Sequence, residues 1–206
     1  MIFPIKKDAL THLKKLDAHM NALITHLDYP EEQQIEDGFF ALCDIIIGQQ
    51  ISETAKAAIM KRFKDAFSPI TKARINQASL DDLRGVGLSK MKAMTMQRLS
   101  ASDMDFTALK HHDTDTIRKT LLAFKGIGQW SVDMFFFVAM GLPDILSVKD
   151  IGIINGIMRL YGVSKETAYT FENYFSPYGS TAASYLWKLL EVDDATLEKI
   201  KKDVKS

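Results

Sequence analysis

The sequence predicts an all-α protein. Apolar residues recur at helical spacing along nearly the whole chain, alternating strand-like stretches are almost absent, and Gly, Pro and Ser fall at the breaks between periodic segments, where turns and helix caps need them. With 47% apolar and 25% charged residues over 206 positions, the chain has the balance of a globular protein and length enough for one large domain or two intimate small ones.

Leu10, Leu13 and Leu16 form one apolar stripe and Leu23, Ile24 and Leu27 another, with a break near Asp17. Tyr29-Pro30 ends the second helix, because the residue before a proline disfavours the helical conformation. A helix over about 38–48 carries Phe39, Phe40, Leu42, Ile45, Ile46 and Ile47. It is apolar on nearly every side and so belongs in the centre of a core. Ser52 is placed to cap the next helix, which runs through 67. Between the two, Gly48-Gln49-Gln50-Ile51 sets a polar pair at the tip of an apolar hairpin. The residues alone leave a solvated turn and a binding tip both open.

A short helix over 80–84 leads into Gly85-Val86-Gly87 and a helix with Lys90 and Lys92 in its first turns. Lysines there crowd the positive end of a helix dipole. A phosphate would relieve the repulsion; plain solvation is the alternative. The helix expected over 107–122 contains His111-His112, whose rings point to different faces and lack companion ligands, so the pair reads as solvated.

The stretch 121–157 organises the rest. A helix ends, the chain turns tightly at Phe124-Lys125-Gly126-Ile127-Gly128, and a strongly apolar helix runs from about 129 to 140. A loop breaks at Gly141 and Pro143, and a further helix begins near Asp150. Two glycines around one branched residue suit a backbone closed to side-chain-bearing residues. Without side chains at Gly126 and Gly128, an anion can reach the first amides of the following helix; an ordinary glycine cap between packed helices is the alternative. Asp150 reads as an N-cap, as a carboxylate for chemistry, or as both. Ser164 caps a helix expected to reach about 175, another spans 179–191, and the charged end over 193–206 is expected to fray.

Lys plus Arg and Asp plus Glu both number 26, so the formal net charge is zero. That counts against a dedicated nucleic-acid binder, which carries a basic surplus, but fits an enzyme that touches a few phosphates and releases them. The single cysteine, Cys43, excludes an internal disulfide and a four-cysteine iron–sulfur cluster, and fits an intracellular, cytoplasmic location. The first residues, MIFPIKKDAL, lack the apolar core of a signal peptide, and no apolar run reaches the roughly 18 residues of a membrane span.

In order along the chain, Ile46-Ile47-Gly48-Gln49-Gln50-Ile51-Ser52, then Phe124-Lys125-Gly126-Ile127-Gly128-Gln129-Trp130-Ser131, Asp144, Asp150-Ile151-Gly152 and Ser184-Tyr185-Leu186-Trp187 resemble the motifs of helix-hairpin-helix DNA glycosylases. The likeness covers about 8–192 and is greatest to the 3-methyladenine DNA glycosylase II (alkylbase) branch. It implies one HhH-GPD domain in the form of a two-lobed helical bundle. The central lobe would take about 38–145, and the second lobe the N-terminal helices plus about 146–206. A DNA- and base-binding cleft would lie between them, and the β-rich N-terminal domain of some longer relatives is expected to be missing.

By the same resemblance, Asp150 is the catalytic carboxylate, and Trp130, Trp187 and Met134 hold the extruded base. Met134 stands where some relatives have an aromatic ring. Gln49, Gln50, Ser52, Lys90, Lys125, Gly126, Ile127 and Gly128 would contact DNA, with Gln50 filling the gap left by the base. Phe39 and Tyr185 fit structural roles better. The main-chain carbonyls of Leu122, Phe124 and Ile127 would hold a structural Na+ or K+ ion, and no other cofactor is required. Bifunctional members carry a lysine at position 130; Trp130 implies a monofunctional hydrolase without lyase activity. Ser147 and Lys149 depart from the proline and the Gly or Asp usual before the aspartate, which bears on substrate range.

The resulting expectation is a monomeric base-excision-repair enzyme acting on damaged double-stranded DNA, releasing bases such as 3-methyladenine and 7-methylguanine by base flipping. A non-catalytic helix-hairpin-helix DNA-binding module and a helical scaffold for protein partners are the rivals.

Overall fold

The computed structural model describes residues 7–30 and 34–204. Residues 1–6, where the absence of a signal peptide was read, and residues 205–206 of the charged tail lie outside the described residues. Among the described residues helices are the only regular structure, so the all-α expectation holds. The chain divides into two compact units, Ile35–Met140 and a discontinuous one made of Met1–Gln34 with Gly141–Ser206.

In the discontinuous unit, α1 (Lys7–Leu16) and α2 (Ala18–His26) meet at Asp17. The extended backbone of Asp17 breaks the helix, and its Oδ1 accepts from the Met20 amide at 2.9 Å, capping α2. Its Oδ2 accepts from the hydroxyls of Tyr161 at 3.0 Å and Tyr174 at 2.8 Å.

The Ile35–Met140 unit is built on α3 (Gly38–Gly48), capped by Asp37 and buried at Phe39, Leu42, Cys43, Ile45, Ile46 and Ile47. It packs on α4 (Glu53–Phe67), on α7 (Lys90–Ala101) and on α10 (Gln129–Val138). Truncating Leu42, Ile46 or Ile47 to alanine should cost about 2–5 kcal/mol. Around this centre lie α5 (Lys72–Gln77), α6 (Leu80–Gly85), α8 (Phe106–Leu109) and α9 (Thr114–Leu122).

The chain then returns to the discontinuous unit as α11 (Ile151–Tyr161), the short α12 (Lys165–Ala168), α13 (Gly179–Leu189) and α14 (Asp194–Val204). Helices α11 and α13 cross closely at Gly156, where a Cβ would lie 2.7 Å from the Leu186 carbonyl oxygen. Arg159 fastens the far end, donating to the carbonyls of Leu189 at 2.9 Å and Val192 at 3.1 Å.

Several boundaries differ from the periodicity. The helix expected over 107–122 is broken between α8 and α9 by Asp113, whose carboxylate accepts from the Thr116 amide at 2.9 Å and hydroxyl at 2.7 Å. A side chain that satisfies these groups starts a new helix instead of continuing the old one. The helix expected from 164 to 175 stops at Ala168 and passes through a 3-10 turn, Tyr169–Phe171. There the rings of Tyr161, Phe171, Tyr174 and Phe175 pack on one another, and tertiary packing overrides local propensity. The tail expected to fray forms α14, because Leu197 and Ile200 bury themselves and the helix packs on α2.

Candidate functional site

Asp150 is the N-cap of α11, its Oδ1 accepting from the Ile153 amide at 3.0 Å. The same oxygen accepts from the indole Nε1–H of Trp187 at 3.1 Å. Gly152 makes the approach possible: a Cβ there would lie 3.0 Å from Asp150 Oδ1 and 3.0 Å from Trp187 Cδ1. The half-buried carboxylate thus sits in a helix N-terminal field with a second donor fixed from α13.

The loop ahead of Asp150 is clamped to the start of α13. Asp144 accepts from the Gly179 amide at 3.0 Å and from the Ser176 hydroxyl. Ser180 Oγ accepts from the Ile145 amide at 3.0 Å and donates to the Leu142 carbonyl at 2.5 Å. Ser147 is buried, and its carbonyl accepts from the Asp150 amide at 2.9 Å, while Lys149 points to solvent. Asp150 is therefore placed by α11, whose N-terminus it caps, and by α13, which carries its loop anchor and its indole partner.

The second cluster lies within the Ile35–Met140 unit. In the turn before α10 the Ile127 amide bonds the Phe124 carbonyl at 2.9 Å, and Ile127 is buried. Gly126 has φ 104°, and a Cβ on it would lie 2.0 Å from Thr95 Oγ1. Glycine is required there on both counts. Gly128 is different: its φ is −112° and a Cβ would meet nothing within 4 Å. The expectation that both glycines adopt conformations closed to side chains is corrected for Gly128, which instead leaves the N-terminus of α10 uncovered, with no side-chain cap.

Thr95 Oγ1 shares its one hydrogen between Met91 O at 2.9 Å and Lys125 O at 3.2 Å, and Arg98 reaches the latter carbonyl at 3.4 Å. Gln49 Nε2 donates to Gly126 O at 3.0 Å and to Ser131 Oγ at 2.9 Å. Gln50 is exposed at φ 55°, a left-handed conformation for a residue with a side chain. Ser52 caps α4 through its hydroxyl.

Trp130 is half-buried on the first turn of α10, and Met134 is buried one turn on. The structure therefore joins Asp150 to Trp187 in one unit and Gln49 to the glycine hairpin in the other. Phe39 and Tyr185 are core residues. Lys90 is exposed, whereas Lys92 Nζ donates to the Ile47 carbonyl at 2.8 Å and caps α3. Burial holds its ammonium below the usual lysine range. Lys92 is thus engaged within the protein, and Lys90 is the more exposed lysine at that helix start.

His111 and His112 are exposed, and among the described residues no group of three His, Cys, Asp or Glu side chains could hold a metal. Burial, with the charges of Asp37 and Asp44, pushes the Cys43 thiol far above its ordinary value, so it is no nucleophile. Among the described residues no helix is long and apolar enough to cross a membrane.

Residues 43–180 match the family described as HhH-GPD superfamily base excision DNA repair protein. The chain belongs to this superfamily. Among its relatives, YfjP of Bacillus subtilis (strain 168), provisionally named a DNA-3-methyladenine glycosylase, is 27% identical over 71% of this chain and 56% of its own length. The match thus spans little more than half of that relative. DNA-3-methyladenine glycosylase 1 of Schizosaccharomyces pombe is 22% identical over 93% of both chains. The solved structure of the S. pombe enzyme Mag1 in complex with abasic DNA superposes with a TM-score of 0.82, at 22% identity, over 91% of this chain and 98% of that one. At that identity the superposition establishes the HhH-GPD fold.

Ser131 and Asp144 stand in the motifs without a visible role there, and Thr95, Ser176 and Ser180 belong to no motif. Thr95, Ser131 and Lys92 hold the hairpin and tip, and Asp144, Ser176 and Ser180 hold the loop of Asp150. These are contacts between residues far apart in sequence, for which one sequence carries no local signal.

Proposed function

We propose that this HhH-GPD protein is a monofunctional DNA glycosylase that hydrolyses the N-glycosidic bond of alkylated bases, such as 3-methyladenine and 7-methylguanine, in duplex DNA. The observation that carries the reading is the paired anchoring of Asp150 by the α11 amide and the Trp187 indole. The names of the B. subtilis and S. pombe relatives support the substrate class, and the abasic DNA bound to Mag1 supports the partner.

In this reading the chain works as a monomer and the extruded base is held by Trp130, Met134 and Trp187. An alkylated purine already carries positive charge and leaves readily, so little acid catalysis is needed. As the bond lengthens, positive charge grows on the deoxyribose and the Asp150 carboxylate stabilises it. The carboxylate also orients the water that attacks C1′, and the products are free base and an abasic site. Gln50 fills the vacated gap; Lys125, Lys90, Ser52 and the uncovered amides after Gly128 take phosphates. Trp130 in place of an amine nucleophile rules out a Schiff base and predicts no strand cleavage.

The hairpin carbonyls of Leu122, Phe124 and Ile127 fit a Na+ or K+ ion. The donors are neutral oxygens, suited to a hard monovalent cation, and Phe124 O spends only one lone pair on Ile127. Such an ion would supply positive charge at the hairpin for a phosphate.

The test is to incubate methylated duplex DNA with the protein and identify the freed bases by chromatography, then treat the DNA with alkali. Free 3-methyladenine or 7-methylguanine, with strand breaks only after alkali, supports the reading. Binding to abasic-analogue DNA without any base release supports a non-catalytic module instead.

A further inference from the structure

We infer that Gln49 is a positioning residue: its side-chain amide locks the tip presenting Gln50 to the glycine hairpin, so the two act on DNA as one rigid clamp. The inference rests on the proposed glycosylase reading and assigns the two adjacent glutamines opposite tasks.

Gln49 Nε2 spans to residues 77 and 82 positions away, donating to Gly126 O at 3.0 Å and to Ser131 Oγ at 2.9 Å. An amide nitrogen has two hydrogens, and both are spent. Ser131 is buried on the first turn of α10, and Gly126 packs closely on Thr95, so both acceptors sit on packed backbone. The other side of the tip is braced too. Lys92 caps Ile47 O at 2.8 Å, and Lys56 on α4 pairs with Asp44 on α3 at 2.8 Å.

Gln50 follows at φ 55°, a left-handed conformation that a side-chain-bearing residue adopts only at a cost. Such strain persists only where neighbours over-determine it. Gln49, fixed at its far end, is the neighbour that does so, and it leaves Gln50 exposed and turned outward. Gln49 therefore acts on DNA through Gln50 and the hairpin, with its own donors turned inward.

The experiment compares binding of a duplex carrying a tetrahydrofuran abasic analogue with binding of the undamaged duplex, alongside single-turnover release of 7-methylguanine. Variants are Gln49→Met, which keeps length but loses both donors, Ser131→Ala, Gln50→Ala and the double variant Gln49→Met/Gln50→Ala. Loss of two neutral hydrogen bonds should lower lesion discrimination roughly tenfold in Gln49→Met and less in Ser131→Ala. The double variant should lose less than the sum of the two single losses, because the two glutamines share one function. Additive losses in the double variant would mean Gln49 meets DNA itself and would overturn the inference. So would a Gln49→Met protein that melts earlier yet discriminates as well as the parent. If Gln49→Met does not fold, Ser131→Ala decides: unchanged discrimination overturns the inference, and reduced discrimination supports it. A parent protein that neither prefers the abasic analogue nor releases base refutes the glycosylase reading itself, an outcome visible before any variant is made.

Discussion

Trp187 Nε1 and the Ile153 amide both donate to one oxygen of Asp150, at 3.1 and 3.0 Å. A tryptophan expected from its motif to serve as a stacking wall is thereby also a hydrogen-bond partner of the carboxylate. Trp187→Phe keeps an aromatic face and removes the N–H. A hydrogen bond to a charged group contributes about 1.5–3 kcal/mol, so base release should slow by roughly 10- to 100-fold. Binding to abasic-analogue duplex should change much less. Single-turnover kinetics and anisotropy titrations read the two separately.

Gly152→Ala tests the same pairing from the helix side. Alanine in a helix interior is worth up to about 1 kcal/mol over glycine, yet here its methyl would press on Asp150 Oδ1 and Trp187 Cδ1, each 3.0 Å away. Base release should fall roughly tenfold with helix content intact by circular dichroism. An unimpaired variant would show that the contact tolerates displacement.

The two hairpin glycines should separate folding from binding. Gly126→Ala puts a methyl into Thr95 at a φ of 104° and should lower stability by about 1–3 kcal/mol, read by urea melts. Gly128→Ala sits at an ordinary φ in open space, so its melt should match the parent's. Its affinity for duplex DNA should still drop, because the methyl obstructs phosphate access to the α10 amides.

Asp17 ties α2, Tyr161 and Tyr174 together, so Asp17→Ala should destabilise the protein by about 2–4 kcal/mol. Burial and the neighbouring Asp17 push the Tyr174 hydroxyl up to about 12. The folded state then holds this proton more tightly than the unfolded chain, whose tyrosines titrate near 10. The associated stability is full below about pH 10 and is lost as pH rises through about 12. Denaturant melts at stepped alkaline pH should show this decline, and Asp17→Ala should flatten it.

Long, strongly periodic segments were legible in the sequence: α3 with its apolar surface, α4 with the Ser52 cap, and α11 with Asp150 at its start all fall where period and caps put them. Local competition was harder to see. Asp113 splits a helix by capping Thr116, and an aromatic cluster around Tyr161 unwinds the chain after Ala168, while the short α5 buries only Ile75 and leaves little periodic signal.

The candidate site divides the same way. Asp150, Trp187, Gly126 and the two glutamines stand out by motif. The supporting roles of Thr95, Ser131, Lys92 and Asp144 do not, because each is a contact across a long sequence separation. Gln49 shows the consequence. Its motif neighbourhood suggested DNA, whereas its geometry spends both amide hydrogens inside the protein.

The decisive measurement is single-turnover release of 3-methyladenine and 7-methylguanine from methylated duplex DNA by the parent and by Asp150→Asn. The parent should release both bases, Asp150→Asn should lose at least roughly a hundredfold in rate, and both should still bind abasic-analogue duplex. A parent that frees no base, or an Asp150→Asn protein as fast as the parent, would contradict the proposed reaction.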